Sequence, residues 1–202
     1  MGTEQNTEEK ILAAAEEVFL QSGFDGARMQ EIANKAEINK AMLHYYFRSK
    51  DLLFERIFEE KARYFFPEVN EIFAQENSFE QKIHSFIEKY IHFINQHPYI
   101  PIFIITTINR KGQEVFIDKL PLKASLAQNL FTSYFKDFQE GKVAEINPLQ
   151  LALSVIGMCV FPYLGRPILN HVFKIQGDEF FELMEARIQE VQLYVSKILK
   201  VD

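Results

Sequence analysis

The stretch that most restricts the fold of this chain is Met29–Asp51, with the sequence MQEIANKAEINKAMLHYYFRSKD. Its pattern predicts two short helices joined by a tight turn and followed by the start of a third. Asn39 is suited to begin the second helix, because its side-chain oxygen can accept from an unpaired backbone N–H. Leu43 and Phe47 are four residues apart and therefore share one helical face. A short helix braced across another helix fits the major groove of duplex DNA.

The charge of this stretch is opposite in sign to that of the whole chain. The 202-residue protein has a formal net charge of −6. Between Arg28 and Lys50, five basic side chains stand against two acidic ones, which gives a local net charge of +3. DNA phosphates attract a local basic surface of this kind. The pattern therefore favours DNA binding through one segment and argues against a basic coat over the whole protein.

Eleven residues in and around this motif are candidates for contact with DNA. Basic side chains suit phosphates and guanine edges, whereas small apolar side chains suit the methyl group of thymine. Lys50 stands where the third helix begins, and both its charge and the free backbone N–H groups favour a phosphate there. Two alternatives stay open: Lys40 is an exposed lysine without a contact, and Tyr46 packs inward. The candidates are Arg28, Gln30, Asn39, Lys40, Ala41, Met42, His44, Tyr45, Tyr46, Ser49 and Lys50.

Residues at fixed offsets across this region resemble the TetR family of bacterial repressors. The resemblance covers roughly residues 7 to 55. It implies an all-helical homodimer whose larger C-terminal domain binds a small molecule. We therefore expect a DNA-binding domain at residues 1–52 and a ligand-binding and dimerisation domain at residues 53–202. The residues that carry the resemblance are Ile11 to Ala15, Phe19, Gly23, Phe24, Ile32, Ala33, Leu43 to Phe47 and Ser49 to Leu53.

Three positions depart from the pattern of the family. Arg28 stands where the family usually has Thr or Ser, so a charged side chain replaces a helix cap. Glu37 stands in the tight turn where the family usually has Gly. A positive φ at Glu37 would cost on the order of 1 kcal/mol. His44 replaces the usual Tyr, and either side chain can donate to a phosphate.

The remaining chain predicts further helices and no sheet. Only 8 Gly and 7 Pro occur, with few alternating β-branched runs, which favours an all-α fold. Local signals mark the helix ends: Thr7 as an N-cap, Pro67 as a break, a capping box at Ser78 and Gln81, and Asn147 before Pro148. The predicted helices are Thr7–Gln21, Asp51–Phe66, Ser78–Gln96, Pro98–Asn109, Pro121–Glu140, Asn147 to about Phe161, and Asp178 to about Lys200.

The last two long helices resemble the pair that forms the dimer interface in the family. The final helix has an apolar stripe, which fits an intramolecular core equally well. A physical argument favours the homodimer, because two recognition helices on a two-fold axis can address a palindrome. The stripe consists of Phe181, Met184, Ile188, Val191, Val195 and Ile198.

Aromatic residues are the main functional signal of the C-terminal region. The chain has 20 Phe and 8 Tyr, and several of them can line an apolar pocket. The alternative is that they pack the core. The pattern predicts a small apolar or aromatic effector, including one with a long acyl chain. The candidate ligand-binding residues are Phe86, Tyr90, Phe93, Phe103, Phe131, Phe135, Met158 and Phe161.

Other site classes have weaker support. His84, Glu88 and His92 share a face at four-residue spacing, but we interpret that face as solvated, since a metal site needs more ligands. No cofactor is expected, and no catalytic motif of the G-x-S-x-G, P-loop, H-E-x-x-H or C-x-x-C type occurs. Cys159 is the sole cysteine, and we interpret it as a small buried hydrophobic residue.

The sequence as a whole predicts an effector-responsive transcriptional regulator and not an enzyme. The polar N-terminus is no secretory signal, and residues 149–165 are too short and too interrupted to span a membrane. A cytoplasmic location is therefore expected. Two alternatives stay open: an architectural DNA-binding protein without an effector, and an enzyme with an unrecognised acid–base pair. Repressor and activator are not distinguished.

Overall fold

A computed structural model describes residues 2–111 and 124–201 of the chain. Those residues contain ten helices and no strand, so the all-α prediction is confirmed. The helices are α1 (Gly2–Gly26), α2 (Met29–Lys35), α3 (Lys40–Tyr46), α4 (Lys50–Ala74), α5 (Phe79–Gln96), α6 (Ile100–Lys111), α7 (Ala124–Gln139), α8 (Pro148–Leu164), α9 (Arg166–Phe173) and α10 (Asp178–Leu199).

The described residues form two compact units. The N-terminal unit comprises residues 2–64 and 103–111, and the C-terminal unit comprises residues 65–102 and 124–201. The first unit therefore extends beyond the boundary that we predicted after residue 52, and it includes most of α6. Both α4 and α6 contribute residues to each unit.

The N-terminal unit has a small core of its own. Ile11, Ile32, Leu43 and Phe54 are each fully buried, so α1 to α4 all contribute side chains. The prediction that Thr7 caps α1 is wrong, since the helix already begins at Gly2. We predicted that this helix ends at Gln21; it extends to Gly26, with non-helical backbone at Gly23, where φ is 67° and ψ is 176°.

Helix α4 continues through Pro67, where we predicted a break. The proline removes one backbone hydrogen bond and crowds the preceding turn. Phe65, Val69 and Phe73 are nevertheless buried on either side of it. Burial of this apolar row outweighs the local cost, because each large apolar side chain contributes about 1.5–3 kcal/mol.

Helix α5 follows its prediction closely. The Ser78 side chain accepts from the Gln81 backbone N–H, and the Gln81 side chain accepts from the Ser78 N–H, both at 3.2 Å. The predicted capping box is therefore confirmed. The buried stripe consists of Phe79, Ile83, Ile87, Ile91 and Ile94, with Lys82 beside it.

The later helices agree with the sequence in type and differ at their ends. The predicted start of α7 at Pro121 lies outside the described residues. Asn147 caps α8 as predicted, accepting from the N–H groups of Leu149 and Gln150. Helix α8 passes through Pro162 and ends at Leu164.

Helix α10 begins one residue earlier than its cap prediction requires. Gly177 is the N-cap and Asp178 is the first helical residue, so the capping role of Asp178 is wrong. The buried stripe includes Phe180 and Leu199 in place of Phe181 and Ile198. The helix is thus rotated slightly from the face that we predicted.

Within residues 2–111 and 124–201, no individual helix has the length and apolarity to span a membrane. Helices α8 and α9 meet that test only when taken together, and they are bent by 64° at their junction.

Candidate nucleic-acid interface

Helices α2 and α3 are joined by a turn of four residues, as the sequence predicts. Ala36 N–H donates to the carbonyl of Ile32 at 2.9 Å, and Ile38 N–H donates to the carbonyl of Ala33 at 3.0 Å. Glu37 has a φ of 57°, so it adopts the left-handed conformation whose cost we considered from the sequence. A side chain therefore occupies a backbone position that favours glycine.

Asn39 fixes the start of α3. Its side-chain oxygen accepts from the Met42 backbone N–H at 2.7 Å, so the predicted N-cap is confirmed. Because this oxygen caps the helix, the amide nitrogen is the polar group of the Asn39 side chain that remains available for DNA.

Helix α3, the recognition helix, has one buried and one exposed face. Leu43 is fully buried, and Phe47 just after the helix is 8% exposed. Lys40, Ala41, Met42, His44 and Tyr45 are exposed. The division predicted from the four-residue spacing is therefore confirmed.

Tyr45 and Tyr46 meet edge to face, with ring centroids 5.6 Å apart. Tyr45 is 80% exposed, whereas Tyr46 is half-buried. An aromatic side chain that is four-fifths exposed contributes little to the fold and presents a hydroxyl and a ring to a partner.

The beginning of α2 lacks a side-chain cap. Arg28 occupies the N-cap position in an extended conformation, without a capping hydrogen bond. Its exposed guanidinium is therefore not used to close the helix. Gln30 is also exposed, and its amide donates to the Asn34 side chain at 2.9 Å.

Lys50 does not have the role that we predicted. Its ammonium donates to the backbone carbonyls of Phe24, Ala27 and Asp25, at 2.5, 3.0 and 3.3 Å. Because an ammonium has three N–H groups, these carbonyls occupy all of them. The placement of Lys50 on a phosphate is corrected to a contact within the unit, since charge pattern alone cannot reveal carbonyls that lie more than twenty residues away.

Ser49 caps α4, since its hydroxyl oxygen accepts from the Leu52 backbone N–H at 3.2 Å. Arg48, which lies between α3 and Ser49, is exposed. We counted Arg48 in the local charge and did not include it among the candidate contacts. Its exposure next to the recognition helix makes it a better phosphate candidate than Lys50.

An ion pair reduces the basic character of α2. The Lys35 ammonium lies 2.6 Å from the carboxylate of Glu17 on α1. Both side chains are partly exposed, so the pair contributes little stability. Lys35 itself remains exposed, and the other exposed lysine and arginine side chains between residues 28 and 50 are Arg28, Lys40 and Arg48.

An apolar cavity among the described residues contains one of the predicted ligand residues. An apolar cavity of about 210 Å³ lies in the C-terminal unit, and of the predicted set only Phe86 lines it. Helices α4, α5, α7 and α8 supply its walls. The lining residues are Val69, Phe73, Ile83, Phe86, Leu126, Ala127, Leu130, Ala152, Val155 and Ile156.

The other aromatic candidates are accounted for by packing or exposure. Phe103 belongs to the N-terminal unit, stacks on Phe54 at 3.7 Å between centroids, and does not line this cavity. Phe135 and Phe161 are 50% and 65% exposed and do not line the cavity. Helical periodicity finds apolar faces but cannot assign them to different units.

The remaining candidates pack around the core and do not line the cavity. Phe93 stacks on Phe65 with centroids 4.3 Å apart, and Tyr90 stacks on Phe86 at 5.3 Å. Phe131 is half-buried, and Met158 packs against the buried core of the C-terminal unit. Core packing, the alternative reading, therefore describes most of the set.

A buried polar cluster joins three helices of the C-terminal unit. The Lys82 ammonium donates to the Ser133 hydroxyl at 2.6 Å and to the Phe73 carbonyl at 3.3 Å. The Asp137 carboxylate accepts from the Phe79 N–H at 2.6 Å. Burial lowers the pKa of Lys82, an effect opposed by Asp137. Sequence patterns do not reveal this cluster, because the residues of α5 and those of α7 that form it are 51 or more positions apart.

Cys159 is fully buried, as the sequence predicts. Burial raises the pKa of its thiol to about 12. Thiolate is the reactive form of cysteine, so this thiol is chemically inert near neutral pH.

The histidines of α5 contact α10 and do not lie on a purely solvated face. His84 Nε2 lies 3.2 Å from the Gln192 carbonyl, and His92 Nε2 lies 3.0 Å from the Glu185 carboxylate. Among the described residues, no group of three or more His, Cys, Asp or Glu side chains is arranged to hold a metal ion.

Comparison with known proteins gives consistent matches. Residues 11–57 match the family model described as bacterial regulatory proteins, tetR family. The chain is similar to the HTH-type transcriptional repressor NicS of Pseudomonas putida, with 43% identity over 53 residues. That match covers 26% of this chain and about a quarter, 25%, of NicS.

Two further relatives are similar over nearly the whole length. The probable HTH-type transcriptional regulator YttP of Bacillus subtilis is 23% identical over 206 residues, covering 96% of this chain and 95% of YttP. The solved structure of the regulator FadR from Bacillus subtilis in complex with stearoyl-CoA has a TM-score of 0.56 at 15% identity, covering 91% of this chain and 96% of that chain.

These matches coincide with the elements described above. The family model spans most of α1, all of α2 and α3, and the start of α4, which are the elements that build the helix-turn-helix. Over this segment the chain is similar to the TetR family of bacterial transcriptional regulators.

Proposed function

We propose that this protein is a homodimeric transcriptional repressor that binds a palindromic operator and is released by a small apolar effector. The observation that carries the proposal is the exposed face of α3, where Lys40, His44 and Tyr45 project from a helix that is anchored by Leu43. Such a face is suited to base edges and phosphates in a major groove. Because a repressor acts on the chromosome, we place the protein in the cytoplasm.

Dimerisation is supported by the outer surfaces of α8 and α10. Both helices bury one apolar row and expose another. Exposed apolar rows of this kind often mark interfaces. We define the dimer face as the exposed apolar residues of these two helices. They are Leu149, Leu153, Ile156, Phe161, Leu183, Leu193, Tyr194 and Ile198, with exposures between 39% and 65%.

The cavity of the C-terminal unit supports an effector that is small and apolar. Its volume of about 210 Å³ exceeds the roughly 150 Å³ of an engineered cavity that binds benzene. It is smaller than the roughly 300–1,000 Å³ of drug-sized sites. We therefore propose a ligand with one aromatic ring or a short hydrocarbon chain within this cavity. The stearoyl-CoA of FadR is a larger ligand of a protein that shares only the fold.

The proposed mechanism has two states. On a palindrome, two recognition helices must lie about one DNA turn apart, ~34–36 Å. Release by an effector requires that it binds better to a state with another spacing, because only a difference in affinity shifts the equilibrium. This coupling is reciprocal. If the effector lowers the affinity of the protein for operator DNA by some factor, operator DNA lowers its affinity for the effector by the same factor.

In vitro selection from randomised duplexes tests the proposal directly. We expect a recovered sequence with two inverted half-sites, whose affinity for the protein falls as salt rises. A panel of benzene, toluene, indole and hexanol then tests the effector step by thermal shift and by release of the selected duplex. Failure to retain any duplex at low salt would overturn the DNA-binding role. Retention of the duplex with no response to the whole panel would overturn only the effector.

A further inference from the structure

The ammonium of Lys50 is enclosed by the carbonyls that end α1. The three acceptors belong to Phe24, Asp25 and Ala27, within 3.3 Å of the nitrogen. These carbonyls lie in and just after the short turn that follows the interruption of α1 at Gly23. Hydrogen bonds from a charged donor are stronger than those between neutral groups, so an ammonium in contact with three carbonyl oxygens stabilises this turn.

The ring of Phe24 holds the same ammonium from another side. The Lys50 nitrogen lies 4.5 Å from the ring centroid, within the range of a cation–π contact. Phe24 in turn packs on Phe19, Phe54 and Phe103, with centroids 5.8, 5.3 and 5.1 Å away. The half-buried Lys50 thus places its ammonium against the aromatic core of the N-terminal unit.

Lys50 is close in sequence to the recognition helix. Helix α3 ends at Tyr46, α4 begins at Lys50, and only residues 47–49 lie between them. Three residues span at most about 10 Å, so anchoring Lys50 on α1 restrains the end of α3. Phe47, at the C-cap of α3, is buried beside this junction.

We propose that Lys50 is a positioning residue for DNA recognition, whose ammonium fixes the junction of α3 and α4 on the end of α1 and does not neutralise a phosphate. The inference rests on the proposed DNA-binding function and goes beyond it, because it assigns the lysine a role inside the protein. It also separates Lys50 from Lys40 and Arg48, whose exposed charges face solvent.

Salt titrations of two variants distinguish the two roles. The probes are the duplex selected by the wild-type protein and a scrambled duplex of the same length and composition. We expect Lys50→Met to lower affinity for the selected duplex by about tenfold or more at every salt concentration. The slope of log K against log salt should stay at the wild-type value. The comparison variant Lys40→Met, which removes an exposed charge, should flatten that slope by about 1.

Lys50→Arg keeps the charge and tests positioning separately. A planar guanidinium cannot aim its donors at three converging carbonyls as an ammonium does. We expect Lys50→Arg to lose affinity for the selected duplex like Lys50→Met and to bind the scrambled duplex like the wild type. Affinities are measured well below each variant's melting temperature, so a residue that affects stability alone would leave them unchanged.

Lysine footprinting of the wild-type protein removes any dependence on how the variants fold. Acetic anhydride should label Lys40 and leave Lys50 unmodified, both without DNA and with the selected duplex. Labelling of Lys50 that disappears on DNA binding would overturn the proposal. So would a flatter salt slope for Lys50→Met that Lys50→Arg restores. A wild-type protein that retains no duplex contradicts the proposed function itself, whereas wild-type affinity in both Lys50 variants contradicts only this inference.

Discussion

At the scale of single residues, the turn between α2 and α3 stores strain at Glu37. Its φ of 57° brings Cβ close to the following carbonyl, which glycine avoids. We expect Glu37→Gly to raise the free energy of unfolding by about 1 kcal/mol. Urea denaturation measures the change. Glu37→Ala is the control, because it removes the carboxylate and keeps Cβ; an equal gain in that variant would assign the effect to charge.

Lys82 makes stability depend on pH in a defined direction. Burial lowers its pKa below the ordinary 10.5, so the unfolded chain binds this proton more tightly. The resulting penalty on the folded state is present at neutral pH and disappears as pH rises toward 10.5. We expect the unfolding free energy of the wild type, relative to Lys82→Met, to rise over that range.

The comparison with Lys82→Met is necessary because buried tyrosines act in the opposite direction. Burial raises the pKa of Tyr90 and of Tyr163, so both lose stability at alkaline pH. These contributions are common to the two proteins and cancel in the difference. A flat difference between neutral pH and pH 10.5 would show that Lys82 is not penalised by burial.

Residue-level predictions succeeded where the partner is near in sequence. Asn39 caps α3 through a backbone group three residues away. The packing of Lys50 and Phe103 was not predicted, because their partners lie on other helices. A sequence pattern records which face of a helix is apolar, but not which helix will cover it.

At the scale of elements, helix caps were predicted correctly at Asn39, Ser78 and Asn147. The capping box of α5 closes two N–H groups at the helix start. We expect Ser78→Ala to lower the unfolding free energy by about 1 kcal/mol, measured by urea denaturation. Ser85 is exposed in the interior of the same helix, so Ser85→Ala should change stability by less than about 0.5 kcal/mol. Equal losses in the two variants would contradict the capping role.

Helix ends were less predictable where tertiary packing decides them. Pro67 is a strong local signal for a break, yet α4 continues to Ala74, because the row from Phe65 to Phe73 is buried. Thr7 and Asp178 are good caps by composition and lie inside their helices. At Pro67 the local sequence predicts a helix end, but burial of the following turn keeps the chain helical.

At the scale of the whole molecule, the proposed dimer face can be tested through the oligomeric state. We expect Leu153→Asp to convert the dimer to a monomer, because a charge in a desolvated interface costs several kcal/mol. Sedimentation velocity measures the change. Leu20→Asp is a matched control, since Leu20 is 50% and Leu153 is 56% exposed, and Leu20 lies in the N-terminal unit. Equal dissociation in both variants would contradict the proposed interface.

The all-α class and the resemblance to the TetR family follow from sequence alone, whereas the division into two units does not. Composition and helical periodicity suffice to predict helices, and the motif from Ile11 to Leu53 suffices for the resemblance. The contribution of α6 to the N-terminal unit depends on Phe103 stacking on Phe54, a contact across 49 positions of sequence. The cavity likewise depends on four helices that only the folded chain brings together.

The buried thiol of Cys159 has a practical consequence. A chain whose sole native sulfhydryl is shielded by its own core needs no cysteine-free background for labelling. A maleimide dye or nitroxide on a cysteine introduced at Tyr45 would mark each recognition helix once. Two such labels in a dimer would then report, as a single interprobe distance, how far apart the helices stand before and after a candidate effector is added.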